Sequence, residues 1–161
     1  DLGADFECFL PSMPNSNNAR YSEWKIWFER YLEHLNDGVI LVGWSLGAIF
    51  FLKYFSEKAT PVSVKSLILL APASYPFTES NSGEDGGDFI FETVELKKVA
   101  EKVESITVFH SKDDFIIPYD HSMKLKEILP SIELVTFEDK NHFIIEEFPE
   151  LVEKIKIIAQ V

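Results

Sequence analysis

Short apolar runs alternate with amphipathic stretches along most of the chain, and the alternation predicts strands separated by helices. Phe6-Glu7-Cys8-Phe9-Leu10 reads as a short mixed strand, stopped by the Pro11 to Asn18 segment, whose Pro, Asn and Ser content reads as a loop. Behind Ser22, a candidate N-cap, Trp24, Trp27, Phe28, Tyr31, Leu32 and Leu35 recur at helical spacing until Asn36-Asp37-Gly38 ends the pattern. Val39-Ile40-Leu41-Val42 is wholly apolar, as expected of a parallel strand covered on both faces. Ala48 to Phe55 then reads as a buried helix, Val64 to Leu70 as a second such strand, and Thr93 to Val103 as a helix. Ile106 to Phe109 (strand), Tyr119 to Leu129 (helix), Ile132 to Phe137 (strand) and Pro149 to Ile158 (helix) complete the series. Strand and helix in strict alternation predict an α/β fold with a mostly parallel sheet, a three-layer α/β/α sandwich. The exception is Thr78 to Asp88, a polar, glycine-containing stretch that reads as a mobile surface loop.

A chain of 161 residues is the size of one ordinary domain, and 46% hydrophobic residues with 14 Phe are enough for a sizeable core. Acidic residues outnumber basic ones 27 to 15, giving a net charge of −12 that repels phosphate backbones and anionic headgroups. Nucleic acid and membrane surfaces are therefore not expected as partners, and no apolar run reaches the length of a spanning helix. The single cysteine, Cys8, excludes an internal disulfide framework and a cysteine-based zinc cluster, which points to a reducing compartment and the cytoplasm.

The chemistry is concentrated in three places. Gly43-Trp44-Ser45-Leu46-Gly47 is a G-x-S-x-G between an apolar strand and a helix. A serine on such a tight turn projects its hydroxyl above the sheet, and flanking glycines are expected where side chains would collide with adjoining backbone. The helix that follows aims its first N–H groups, that of Leu46 included, at the place where an oxyanion would form. The bland alternative is a packing turn in which Ser45 merely caps the helix. A serine nucleophile needs a base, usually His, oriented by a carboxylate, in the chain order Ser, acid, His. Of His34, His110, His121 and His142, only His142 follows the last strand and satisfies that order. His34 and His121 read as solvated helix residues and His110 as a satisfied, partly buried one. Asp113 and Asp114 both follow the Ile106 to Phe109 strand, where catalytic groups of open α/β sheets gather, and position alone leaves the choice of acid open.

With Ser12-Met13-Pro14-Asn15, Val42-Gly43-Trp44-Ser45-Leu46-Gly47, Asp114-x-x-Ile117-Pro118 and Asn141-His142-Phe143 in this order, the chain resembles the α/β-hydrolase superfamily, in particular the small serine hydrolases of the YdeN and retinoblastoma-binding-protein type. The resemblance covers nearly the whole chain. It implies that Asp114, the Asp of a D-x-x-[hydrophobic]-P turn, is the acid and that His142, before an aromatic residue, is the base. Two departures stand out. Trp44 occupies a place that is usually His in the superfamily, which sets an indole against the elbow where it could line the acyl pocket. The family also opens with a strand, a His-Gly type loop and a helix ahead of the strand matched by Phe6 to Leu10, and this chain has none of them.

The function so implied is cleavage of a carboxylic ester or thioester, with a short acyl group, through a covalent acyl-enzyme. Ser45 is the nucleophile, His142 the base and Asp114 its orienting acid, with Leu46 and Trp44 at the oxyanion and substrate positions. No metal or organic cofactor is implied, and the expected partner is a small-molecule ester. Pro72 to Thr93 is the only excursion available as a lid, its Tyr75, Phe77, Phe89 and Phe91 flanking an acidic centre. Glu79, Glu84, Asp85 and Asp88 would either repel anionic substrates or form a solvated loop without a role. The competing class is a degenerate hydrolase that binds a partner without turnover. Without the family's opening strand, Phe6 to Leu10 is expected either to pair directly with Val39 to Val42 or to leave a gap. Such a gap would be filled by residues of a longer chain, by another segment or by a second subunit in a homo-oligomer.

Overall fold

The computed structural model describes residues 2–74, 87–89 and 93–160. In these residues a parallel sheet runs in the order β1 (Val39–Trp44), β2 (Val64–Leu70), β3 (Ile106–Ser111), β4 (Glu133–Phe137), so each strand lies beside its successor. Each crossover carries helical structure. Helix α2 (Leu46–Glu57) joins β1 to β2, a 3₁₀ segment at Thr93–Glu101 precedes β3, α3 (Asp120–Ile128) joins β3 to β4, and α4 (Pro149–Ala159) follows β4. Helix α1 (Tyr21–Leu32) precedes the sheet.

The period of two within the strands divides the core. Leu41, Leu67, Leu69, Ile106 and Val108 face the layer built by α1, α2, α3 and the Thr93–Glu101 segment, where Phe28, Phe50, Phe51 and Tyr54 pack ring edge to ring face. Ile40, Ile68, Leu70, Phe109 and Val135 face the other way, onto Leu151, Ile155 and Ile158 of α4. β2 and β3 are buried on both faces, as expected of central parallel strands, whereas Val42 of β1, expected to be covered, is exposed, as is Trp44.

Three further expectations are corrected. Phe6–Leu10 forms no strand and does not pair with β1, and Leu10 is 93% exposed. A strand persists only where its backbone groups find a ladder and one face finds a core, and this segment has neither. β1 is therefore an edge strand among the described residues. The expected helix at Thr93 to Val103 is instead a 3₁₀ segment, with Leu96 and Val99 buried against α2.

The third correction concerns the acidic stretch. Residues 78–86 lie outside the described residues, as do Tyr75, Phe77 and Phe91 of the expected lid. Its end is built into the fold: Gly87–Phe89 is a 3₁₀ turn, and Phe89 is buried edge-on against Trp24 and Tyr21. Asp88 caps α1 from outside that helix. Its carboxylate accepts the N–H groups of Tyr21 (2.6 Å) and Ser22 (3.0 Å) and the Ser22 hydroxyl (2.9 Å). Ser22, the candidate N-cap, thus lies inside the first turn, and a distant carboxylate satisfies donors that the helix cannot. Desolvation works against the charge, but these hydrogen bonds outweigh it and hold the Asp88 carboxyl below its usual range. Asp88→Ala should lower the unfolding free energy by about 1 kcal/mol in urea titration; a change within about 0.3 kcal/mol would show that the cap is dispensable.

Candidate active site

The carboxyl ends of β1, β3 and β4 bring three side chains together. Ser45 sits between β1 and α2 with φ 51° and ψ −116°, a strained conformation for a residue with a side chain. It is held there from both sides: its N–H donates to the Leu70 carbonyl (2.9 Å), and its carbonyl accepts from Ala48 (2.9 Å) and Ile49 (3.1 Å) in the first turn of α2. The turn is tight because α2 approaches β1 at Gly43. A Cβ on Gly43 would lie 2.7 Å from the Gly47 carbonyl oxygen and 2.7 Å from the Phe51 ring. Gly47 is different, since a Cβ there would meet nothing within 4 Å. Only the first of the two glycines answers the steric expectation.

His142 Nε2 lies 3.0 Å from Ser45 Oγ, and His142 Nδ1 lies 2.8 Å from Asp114 Oδ2. Asp114 is buried in the turn after β3, where its Oδ1 accepts the N–H groups of Ile116 (2.8 Å) and Ile117 (2.9 Å). Those bonds occupy Oδ1 and leave the second oxygen, Oδ2, to face the imidazole. His142 is itself buried, in a loop with positive φ at Asn141 and Phe143. Phe143 pins that loop by stacking on Phe148 (5.0 Å between centroids) and packing edge-on against Phe137.

The two candidate acids do different things. Asp113 Oδ1 accepts from the Ser111 hydroxyl (2.5 Å) and from the Asn141 N–H (2.9 Å), while Ser111 Oγ also accepts the Lys140 N–H (2.9 Å). The Ser111 and Asn141 bonds keep the Asp113 carboxyl below its usual range. Asp113 therefore ties the loop bearing Asp114 to the loop bearing His142, and only Asp114 reaches the imidazole. Trp44 adds a second tie: its indole N–H donates to the His142 carbonyl (2.9 Å) and its ring lies 5.7 Å from the imidazole. The rest of the indole is open, 47% exposed. Leu46 is the first residue of α2, where backbone N–H groups have no acceptor within the helix.

The remaining histidines separate clearly. His34 is exposed beyond the end of α1. His121, expected to be solvated, is buried, its Nδ1 accepting the Ser74 N–H (3.2 Å) while its carbonyl accepts the Ser74 hydroxyl (2.7 Å). His110, expected to be partly buried, is fully so and lies directly behind Asp114. Helical position alone placed His121 on the surface; its neighbour Ser122, also buried, marks the inner face of α3. Exposed apolar side chains, Phe115, Ile116, Ile144 and Ile145 as well as Trp44, flank each of the three motifs. Among the described residues no group of His, Cys, Asp and Glu is arranged to hold a metal ion, and no helix is long and apolar enough to cross a membrane.

The family described as serine hydrolase matches residues 12–156, a span that contains every residue of this site. The chain belongs to the serine hydrolase family. Serine hydrolase RBBP9 of Rattus norvegicus is 28% identical over 151 residues, covering 94% of this chain and 77% of the relative. Among solved structures, the ydeN gene product of B. subtilis superposes with a TM-score of 0.81 at 20% identity, covering 94% of this chain and 81% of the other. Mouse alpha/beta hydrolase domain-containing protein 10 superposes at 0.58 with 18% identity, covering 91% and 72%. These likenesses at low identity establish the fold, an α/β hydrolase with its sheet between helical layers.

For a serine hydrolase built this way, the two glycines should respond differently to the same change. Gly43→Ala must push α2 off β1 and should cost about 1 to 3 kcal/mol of stability. Gly47→Ala should be neutral or stabilising by up to about 1 kcal/mol, since alanine favours the helix. Equal losses in urea titration would contradict this account of the turn. Burial also pushes the His121 imidazole down to about 4. An unfolded chain would take up that proton nearer pH 6.5, so His121 contributes stability that is complete above about pH 6.5 and lost as pH falls toward 4. His110, likewise depressed by burial, adds to the loss with the same sign. The urea midpoint should therefore drop between about pH 7 and pH 4.5, and less so in His121→Gln; an identical drop in that variant would remove His121 from the account.

Proposed function

We propose that the protein hydrolyses a carboxylic ester or thioester with a short, apolar acyl group through a covalent acyl-enzyme. The observation that carries this reading is the continuous line from Ser45 Oγ to His142 Nε2 (3.0 Å) and from His142 Nδ1 to Asp114 Oδ2 (2.8 Å). Asp114 Oδ2 accepts a hydrogen bond from His142 Nδ1–H, which keeps the proton on Nδ1 and leaves Nε2 as the bare nitrogen facing the serine. His142 takes the Ser45 proton as the oxygen attacks the acyl carbon, and the Leu46 N–H at the helix terminus steadies the oxyanion. The protonated His142 then gives its proton to the departing alcohol or thiol. Water enters, loses a proton to His142 and attacks the acyl-enzyme. The second tetrahedral species collapses to release the acid and return the proton to Ser45. Exposed Trp44, Ile144 and Ile145 beside the nucleophile and base support an apolar acyl group on an open site. The lone, exposed Cys8 suits a reducing compartment, and we assign the protein to the cytoplasm.

Turnover of p-nitrophenyl acetate tests this reading. Ser45→Ala should lower kcat by roughly 10⁴- to 10⁶-fold, and His142→Ala nearly as much, because the members act as a unit. Asp114→Asn should cost roughly 10⁴-fold, while Asp113→Asn, which loosens a tie between loops, should cost far less. The reverse order would make Asp113 the acid. Since only neutral His142 can accept the serine proton, kcat/KM should rise with pH through one ionisation and then level off; a flat profile between about pH 5 and 9 would remove His142 as the base.

A further inference from the structure

We propose that His110 is a positioning residue of this site, a second buried imidazole that holds the Asp114 carboxylate and its turn in the orientation that serves His142. The kinetic consequence rests on the hydrolase reading above; the structural consequence does not. His110 lies in β3, and its side chain is wholly excluded from solvent. Its Nε2 lies 2.9 Å from the Ile117 carbonyl oxygen and 3.3 Å from Asp114 Oδ2. Both are acceptors with no hydrogen to offer, so Nε2 carries the ring proton. Nδ1 is then bare, and the buried Ser122 hydroxyl, 2.6 Å away, donates to it. Tyr119 closes the ring in from one side with its edge-to-face contact at 5.6 Å. The tautomer follows from the network and leaves no ring nitrogen unpartnered.

The consequence falls on Asp114. Its Oδ1 is fixed by the N–H groups of Ile116 and Ile117, and its Oδ2, which meets His142 Nδ1 at 2.8 Å, also lies 3.3 Å from His110 Nε2, beside the N–H that donates to the Ile117 carbonyl. His110 further holds the carbonyl of Ile117, the residue whose own N–H supports Oδ1. One ring thus braces both the carboxylate and the turn that presents it. Burial pushes the His110 imidazole below its ordinary range despite the neighbouring Asp114 charge, so it remains a neutral donor and does not compete with His142 for that charge. A histidine that merely filled space would require neither this tautomer nor a ring nitrogen set 3.3 Å from the carboxylate oxygen that meets His142.

The test compares His110→Leu, which keeps an apolar side chain but has no donor, with His110→Gln, whose amide N–H can occupy the place of Nε2. The direct readout is the downfield proton resonance of His142 Nδ1–H in its bond to Asp114, assigned by its loss in Asp114→Asn. His110→Leu should shift or abolish that resonance and lower kcat for p-nitrophenyl acetate by roughly 10- to 100-fold, the scale of losing an outer partner elsewhere, with KM little changed. His110→Gln should restore most of both. An unchanged resonance and kcat in His110→Leu, or equal impairment of the two variants, would overturn the proposal and leave His110 as packing. Should His110→Leu fail to fold, Ser122→Ala replaces it: freeing Nδ1 should displace the same resonance, and an unmoved line overturns the proposal. If the wild type turns over no ester, the hydrolase reading fails, while the resonance still decides the role of His110.

Discussion

The end of the sheet that carries Ser45, Asp114 and His142 depends on one close approach, that of α2 to β1 at Gly43. The backbone of Gly47 and the ring of Phe51 come so near that a single methyl group at Gly43 would overlap both. That approach forces the chain to reverse within one residue, and Ser45 takes the strained conformation that the reversal requires. The strain is sustained because Ser45 is bonded on one side to Leu70 of β2 and on the other to the first turn of α2. The large aromatic side chains of α2, buried against α1, hold the helix in place. Packing energy from a layer remote from Ser45 therefore fixes the position of its hydroxyl.

Asp114 and His142 are held by a different means. They belong to loops, and those loops are joined by polar contacts: Asp113 to Asn141, Ser111 to Lys140, Trp44 to the His142 carbonyl. Behind them lies a buried polar layer of His110, His121, Ser122 and Ser74. Burying such groups is costly unless each finds a partner, and each of these does. A satisfied buried network admits few alternative arrangements. Around this network, among the described residues, Trp44, Phe115, Ile116, Ile144 and Ile145 are exposed.

Much of this was legible in the sequence. Val39 to Val42 and Val64 to Leu70 were readable as strands from their apolar residues, but the expectation that both are central holds only for the second: β1 is an edge strand among the described residues, and Val42 is exposed. The elbow was readable because G-x-S-x-G fell between an apolar run and a helix. The choice of Asp114 over Asp113 was not available from position: the two are adjacent, and only the fold shows that one reaches the imidazole while the other ties Asn141. The inner layer was missed for a related reason. His121 and Ser122 look like surface residues of an amphipathic helix, and His110 looks like the polar end of a strand, yet all six residues of β3 are buried. Local pattern registers polarity, whereas burial is decided by which element lies on top. Phe6–Leu10 failed in the opposite sense, since strand-like composition does not supply a ladder partner.

The central claim is that Ser45 is an activated nucleophile rather than a capping residue. The most direct measurement is the intact mass of the protein after exposure to a fluorophosphonate, followed by mapping of the labelled peptide. Addition of a single phosphonyl group, located on Ser45 and absent from both Ser45→Ala and His142→Ala, is the result predicted here. A protein that remains unlabelled, or one labelled elsewhere with Ser45 untouched, would contradict the account and leave the fold as a binding scaffold.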